Sequence, residues 1–320
     1  MRPVSLMLAS LFLFAARYSL AQDIEERFGA FLIEKADVSK RFSVFVERVI
    51  ISERADPKGS VGVGTTRILQ RFMMGNHGAW QRIDGINFNL MSPSDLSGQS
   101  REAQLVHENQ GWYFSFYPRT PKEKISRFQV KAGIVNFRPT DSRRKHPFDI
   151  ASTNYGGILG EEDTGIAPLS PKFVDEVLLK DGRTRMTMFI PNGFVYVVTF
   201  NKEYTWCIEE IEFQLKENHD FDPNAPPLRS LTKEMLKEYR TFATNQTKWE
   251  DVAGHRVPIR TIITQQNGKT SRDEMEARFL DWKFGDDVDE ELLDDINFTP
   301  EKIRKAMDFD KLRQRFDDLR

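Results

Sequence analysis

Residues 247–284 read TKWEDVAGHRVPIRTIITQQNGKTSRDEMEARFLDWKF. Two long runs with a period of two flank a QNG turn, the pattern of a β-hairpin. In the first run Val257, Ile259 and Ile263 share one face, and Arg256, Pro258 and Arg260 share the other. Pro258 has no N–H to give to a ladder, so it belongs near a sheet edge, at a strand start or at a bulge. The stretch therefore predicts a long antiparallel hairpin with one irregular strand.

Upstream, the same period recurs. In RFSVFVERVI, Phe42, Val44 and Val46 share one face, and Ser43 and Glu47 the other. Further strands are expected in SVGVGTTRILQRFMM, AWQRIDGINFNLM, GWYFSFY, KISRFQVKAGIVNF, RTRMTMFI, GFVYVVTF and YTWCIEEIEFQL, punctuated by short turns rich in Gly, Asn and Pro. The IPNG turn reads as the link of a hairpin between RTRMTMFI and GFVYVVTF. This is the pattern of an antiparallel meander.

Helices are expected at three places. Ile24, Phe28, Phe31 and Leu32 fall on one face of a short amphipathic helix. SPKFVDEVLLKDG, with Ser170 and Pro171 at its start and Gly182 at its end, predicts a helix inserted among the strands. At the C-terminus, Thr299 and Pro300 mark a helix start, and Leu312, Phe316 and Leu319 share a face that lays the final helix against the body. The fold class is thus mainly β (α+β): a large curved antiparallel sheet or half-barrel flanked by N-terminal, inserted and C-terminal helices. The β-domain is expected over residues 22–290 and a helical segment over 291–320. The stretch ENHDFDPNAPPLRS, around 217–230, is a long loop within one sheet or a linker between two domains.

The first residues, MRPVSLMLASLFLFAARYSLAQ, carry one early arginine, an apolar run from Val4 to Ala16, and small residues Ser19 and Ala21 where a signal peptidase reads. Residues 1–21 are expected to be a secretory signal, cut after Ala21. The apolar run falls short of the roughly 20 residues a membrane span needs, and an uncleaved anchor is the alternative. The mature chain is expected to be exported, periplasmic or otherwise, and soluble. Cys207 is the only cysteine, so no internal disulfide forms and stability rests on the core. Cys207 sits in a strand-like run, where a cysteine behaves as a small buried hydrophobe. Asn245 in NQT and Asn297 in NFT match the glycosylation pattern.

With 46 basic against 48 acidic residues, the formal charge is −2, and no global field argues for nucleic acid or an anionic surface. The chain contains no HExxH helix, CxxC pair, GxSxG elbow, phosphate-binding loop or dinucleotide-type glycine cluster. His77, His107, His146, His219 and His255 are scattered, and each reads as a surface or capping histidine. The acidic run GDDVDEELLDD lacks the spacing and turn glycine of a calcium loop, and DSRRKHP lacks the aromatic interleaving of a nucleic-acid surface. No catalytic residue, metal ligand or cofactor is expected.

Apolar residues on both faces of single strands are the unusual feature. In GFVYVVTF, Phe194, Tyr196, Val198 and Phe200 line one face and Val195 and Val197 the other; in GWYFSFY, Trp112, Phe114 and Phe116 oppose Tyr113 and Tyr117. An antiparallel sheet with one buried face puts polar residues on the other, so these strands are covered twice. The second cover is either packed core or an apolar hollow enclosed by a curved sheet. Trp112, Phe114, Phe116, Phe194, Tyr196 and Val198 are the candidate residues lining such a hollow.

The succession Trp249, Gly254, Val257, Pro258, then two long strands joined by a turn, then INFTP resembles the C-terminal part of the bacterial outer-membrane lipoprotein-carrier superfamily, the localisation-factor fold and its lipid-carrying relatives. GWYFSFYPRTPKEKIS resembles the same family's strand that ends in Tyr and Pro. The resemblance implies a twisted half-barrel closed by helices around an apolar cavity for acyl chains; the expected function is binding without chemistry, which needs no cofactor. An apolar or acylated ligand and transient contact with membrane or lipoprotein are then the expected partners. The alternative is a structural or protein-interaction module whose sheet is solidly packed.

Overall fold

The computed structural model describes residues 26–27, 29–55, 61–75, 80–89, 99–107, 110–117, 120–129, 146–151, 172–189, 193–216, 231–267, 271–288 and 309–319. The expected signal (1–21), the 217–230 segment, Asn297 and the FTPEKIRKAM helix start lie outside them. The described chain is mainly β. After helix α1 (residues 26–27 and 29–38) come β1 (Arg41–Ala55), β2 (Val61–Gly75), β3 (Trp80–Asn89), β4 (Gln99–His107), β5 (Gln110–Tyr117) and β6 (Thr120–Gln129). Helix α2 (Pro147–Ala151) precedes β7 (Lys172–Leu178), β8 (Thr184–Phe189), β9 (Val195–Phe200) and β10 (Ile208–Lys216). A 3-10 turn (Met235–Glu238), β11 (Tyr239–Val252), β12 (His255–Asn267), β13 (Ser271–Phe284) and helix α3 (Phe309–Asp318) complete it.

Neighbouring strands run in the order β6-β5-β4-β3-β2-β1-β13-β12-β11-β10-β9-β8-β7, a single open sheet among the described residues. Every pairing with a resolved register is antiparallel. The chain groups into two compact units, Met1–Ile33 with Asn154–Thr244 and Glu34–Thr153 with Asn245–Arg320. The division falls inside α1, after Thr153 and inside β11, away from 217–230.

In the first unit, β9 is buried on both faces, as its two-sided apolar pattern predicts. Tyr196 pairs with Met188 and Phe213, and Val198 with Met186 and Ile211, so these side chains share one face. Val195 and Val197 point the other way, into a cluster with Phe189, Leu231 and Tyr239 that Val174, Met235 and Leu236 complete. Beside the strands, the Arg27 guanidinium lies 4.7 Å from the centre of the Phe200 ring and donates to the Thr205 carbonyl at 2.9 Å. Phe31 is buried 6.2 Å from Trp206. Leu32, expected on the same face as Phe31, is instead 40 % exposed; one residue turns a helix by about 100°, and the stripe facing the strands ends at Phe31.

The helix expected at 170–182 is a correction. Lys172–Leu178 is strand β7, paired antiparallel with β8. Gly182, read as a helix stop, has φ +90 and serves a hairpin turn, where Gly182 N–H donates to the Leu179 carbonyl and Leu179 N–H to that of Arg183. A glycine that adopts the left-handed region suits both uses, and pairing with β8 decides between them. Asp175 and Glu176 then put charge on a terminal strand, which discourages further pairing. The inserted helix lies earlier, at Pro147–Ala151.

In the second unit the expected hairpin forms, β12 pairing with β13 up to Asn267 opposite Ser271. Phe42, Val44 and Val46 are fully buried on one face of β1, and on the opposite face Ser43 and Glu47 are buried as well. Helix α3 lies against β2 and β3, as the final amphipathic run predicts. No described helix is long and apolar enough to cross a membrane.

Candidate functional site

Among the described residues of the second unit, an aromatic bed lies on β1, β11 and β13, beside β12. It begins with an irregularity in β13. Ser43 pairs with Lys283 but Phe45 with Leu280, so β13 carries one extra residue there, and Asp281 adopts φ 54. A bulge of this kind re-aims a side chain. Trp282 is turned toward Phe42 at 5.5 Å, and its indole N–H donates to the Pro258 carbonyl at 3.0 Å. Pro258 is the fourth residue of β12, ahead of the stretch that pairs with β13 from Arg260 onward, which is where a residue without an N–H is tolerated.

On this bed sits α2, PFDIA, whose Pro147, Phe148, Ile150 and Ala151 are all buried. The Phe148 ring meets Trp249 at 5.6 Å and Trp282 at 6.4 Å, both edge-on, the geometry that aromatic quadrupoles favour. Polar contacts fix both ends of the helix. At its start, His146 Nδ1 accepts from the Phe148 N–H at 3.1 Å, and the His146 carbonyl accepts from Asp149 and Ile150. The ring proton therefore sits on Nε2, 3.4 Å from the Ser39 hydroxyl, which donates to the Lys35 carbonyl at 2.6 Å. At its end, the Ala151 carbonyl accepts from Asn245 Nδ2 at 3.1 Å and from the Thr247 hydroxyl at 2.6 Å. Lys35 adds an ion pair to Asp149 at 2.6 Å.

His146 is thus a buried capping histidine. Burial drives its pKa down to about 3, the nearby Lys35 charge acts in the same direction, and Asp149 opposes them. It is neutral at physiological pH. The glycosylation candidate Asn245 is also buried, with its amide committed to Ala151, so the folded chain does not offer it to a glycosyl donor.

The bed is not uniformly apolar. Arg48 is fully buried beside Val46 on the same face of β1, and its Nη2 donates to Gln70 Oε1. The reverse face of β1 to β3 carries ion pairs. Arg67 reaches Glu47 at 2.7 Å, and Asp84 lies between Arg71 at 2.6 Å and Arg82 at 3.0 Å. Burial pushes the Asp84 carboxyl up, but the two guanidinium groups outweigh it and hold the pKa below the ordinary value.

The six residues expected to line a hollow fall into two groups. Phe194, Tyr196 and Val198 belong to the first unit, where a chain of rings runs from Phe194 to Phe242 (6.1 Å), Phe213 (6.3 Å) and Tyr196 (5.2 Å). Burial raises the Tyr196 pKa. Trp112, Phe114 and Phe116 lie on β5 in the second unit, at register positions that lead through Leu105, Ala103 and Arg101 to Arg82, Asp84 and Ile86. Tyr113 is the β5 position in line with Ile83, Phe72 and Val44, the row that joins the bed. The sequence reading missed the bed as a site. Its strongest signal was two tryptophans, Trp249 and Trp282, inside the stretch that decides the fold; Phe148 and His146 gave none, because five helical residues are too few for a period. Among the described residues no group of His, Cys, Asp and Glu is placed to hold a metal ion.

No family model matches the chain, and no curated protein matches its sequence. Solved structures do. A protein described as an outer membrane lipoprotein-sorting protein domain, from Vibrio parahaemolyticus, aligns at TM-score 0.38 and 12% identity over 85% of this chain and 94% of its own. A LolA superfamily protein from Nitrosomonas europaea aligns at TM-score 0.33 and 11% identity over 83% and 96%. A β-barrel-like protein of a domain of unknown function from Brucella abortus aligns at TM-score 0.26 and 9% identity over 77% and 98%. The chain bears a weak resemblance to the LolA superfamily. Likeness at this level carries no argument about function.

Proposed function

We propose that the protein is an exported, non-enzymatic binding protein for an apolar or acylated ligand. The observation that carries this reading is the aromatic bed, an apolar surface that accepts Phe148 and Ile150 from a five-residue helix of the same chain. A surface that takes two such side chains offers an acyl chain the same contacts, and each buried methylene contributes about 0.8 kcal/mol. The face needs no reacting group, and its buried histidine is neutral and committed to capping. Apart from the bed, and each within its own unit, Trp112, Phe114 and Phe116 on β5 and Phe194, Tyr196 and Val198 at β9 are proposed as separate apolar contacts. Transient contact with a membrane or lipoprotein, and residues 1–21 as an export signal, belong to the same proposal.

The rival reading, an interaction module with a solid sheet, draws on the first unit. There Val195, Val197, Phe189, Leu231 and Tyr239 pack against one another, so two-sided apolar strands have an internal use.

Titration of a long-chain fluorescent fatty acid into the wild type and the Phe148→Ala and Phe116→Trp variants separates the two. The carrier reading expects saturable uptake by the wild type and a changed affinity in Phe148→Ala. Weaker uptake by Phe116→Trp with unchanged stability would show a second apolar contact at β5, separate from the bed, and unchanged uptake would assign the ligand to the bed alone. No uptake by any of them, together with a stability loss of about 1 to 3 kcal/mol in Phe116→Trp, would favour the packed module.

A further inference from the structure

We propose that His255 is a proton-dependent clasp between the start of β12 and the last turn of α1. Its Nδ1 lies 3.7 Å from Glu34 Oε1 and 3.6 Å from Asp37 Oδ2. Both distances exceed a hydrogen bond, so a neutral imidazole gains little from either carboxylate. An imidazolium at the same place faces two negative charges at ion-pair distance. The ring is held there. It lies on Phe284, with centroids 4.5 Å apart, and follows a tight turn in which Ala253 has φ 50 and Gly254 φ 85. All three groups are only partly exposed, which limits screening by solvent.

The surrounding charges leave this arrangement in place. Lys40, next to the helix end, is hydrogen-bonded to the other carboxylate oxygen of Asp37, so one oxygen of that group faces the imidazole. On the hairpin itself, Arg256 is paired with Asp251 at 2.9 Å. On β13 the neighbour is the uncharged Phe284 ring. Among the described residues, Glu34 pairs with no base other than His255. Protonation of the ring therefore tightens the clasp, and loss of the proton slackens it. It secures the turn of α1 that also carries Lys35 and Ser39, the residues that reach Asp149 and His146 at α2. The inference stands whether or not the bed takes a ligand.

Backbone amide hydrogen exchange over residues 35–40, measured at pH 5.5 and 8.0 and corrected for intrinsic rates, tests it in the wild type, His255→Asn, Glu34→Gln and Glu34→Gln/Asp37→Asn. Each variant is compared with the wild type at the same pH, because the buried His146 responds to acid in the opposite sense. The expected result is protection about two- to fivefold higher than in His255→Asn at pH 5.5, the scale of a partly exposed ion pair, and equal to it at pH 8.0. Glu34→Gln leaves the Lys40 contact intact and should lose part of the effect; the double variant should lose all of it. A pH response that is the same in the wild type and His255→Asn, or that survives in the double variant, would overturn the proposal.

Discussion

The indole N–H of Trp282 donates to the carbonyl of Pro258 at 3.0 Å, from a bulge in one strand to the irregular start of its neighbour. Two features that weaken a ladder, a missing N–H and an extra residue, are thereby joined by a side chain. Trp282→Phe keeps a ring against Phe42 and Phe148 but leaves the buried carbonyl without this donor. The expected loss is about 1 to 3 kcal/mol of unfolding free energy, read by chemical denaturation with an unchanged denaturant slope. A neutral substitution would mean that water replaces the indole without cost.

His146 sets an acid limit on stability. Its pKa in the folded chain is about 3, against about 6.5 in an unfolded one. The unfolded chain therefore takes up a proton between these values that the folded chain refuses. The stabilising contribution is fully present above pH 6.5 and is lost as pH falls toward 3, at up to about 1.4 kcal/mol per unit. Unfolding free energies measured between pH 7 and 4 should fall less steeply in His146→Gln than in the wild type. Parallel curves would contradict the assignment.

Thr247 donates to the Ala151 carbonyl at 2.6 Å and lies 3.1 Å from the Thr261 hydroxyl. Thr247→Val preserves the shape of the side chain and removes both contacts. It should cost about 1 to 2 kcal/mol, with the largest loss of amide exchange protection at Ile150 and Ala151. A loss spread evenly over the whole chain would show that α2 is not the element Thr247 holds.

Much of this architecture was legible before any coordinates. The hairpin around QNG, the special place of Pro258 and the double burial of β9 follow from period-two patterning and from the chemistry of one proline. Strand β7 was misread because Ser170, Pro171 and Gly182 are punctuation shared by helices and hairpins, and only pairing with β8 separates the two. Strand β4, QSREAQLVH, has too little apolar alternation to announce itself. The bed was illegible for a different reason. Phe42, Phe148, Trp249 and Trp282 are far apart in the chain, and what unites them is a β-bulge and a five-residue helix, neither of which leaves a periodic trace. His146 read as a surface or capping histidine, and it is a cap; that it caps from within the core depends on Ser39 and Lys35, more than a hundred residues away.

Cys207 is fully buried at the turn before β10, its N–H donating to the Tyr204 carbonyl at 2.8 Å. Native protein should react with a small thiol reagent only as fast as it unfolds, so labelling should accelerate with denaturant in step with loss of structure. Rapid modification under native conditions would contradict the packing described for the first unit.

The central claim is that an apolar guest is carried. Organic extraction of protein purified without detergent, followed by mass spectrometry against a mock-purified blank, tests it most directly. The account predicts an acylated or otherwise apolar compound in near-stoichiometric amount, reduced in Trp282→Asp, where a charge on the bed lacks a partner and disfavours an apolar neighbour. An extract indistinguishable from the blank, from protein that also fails to take up added fatty acid, would contradict it.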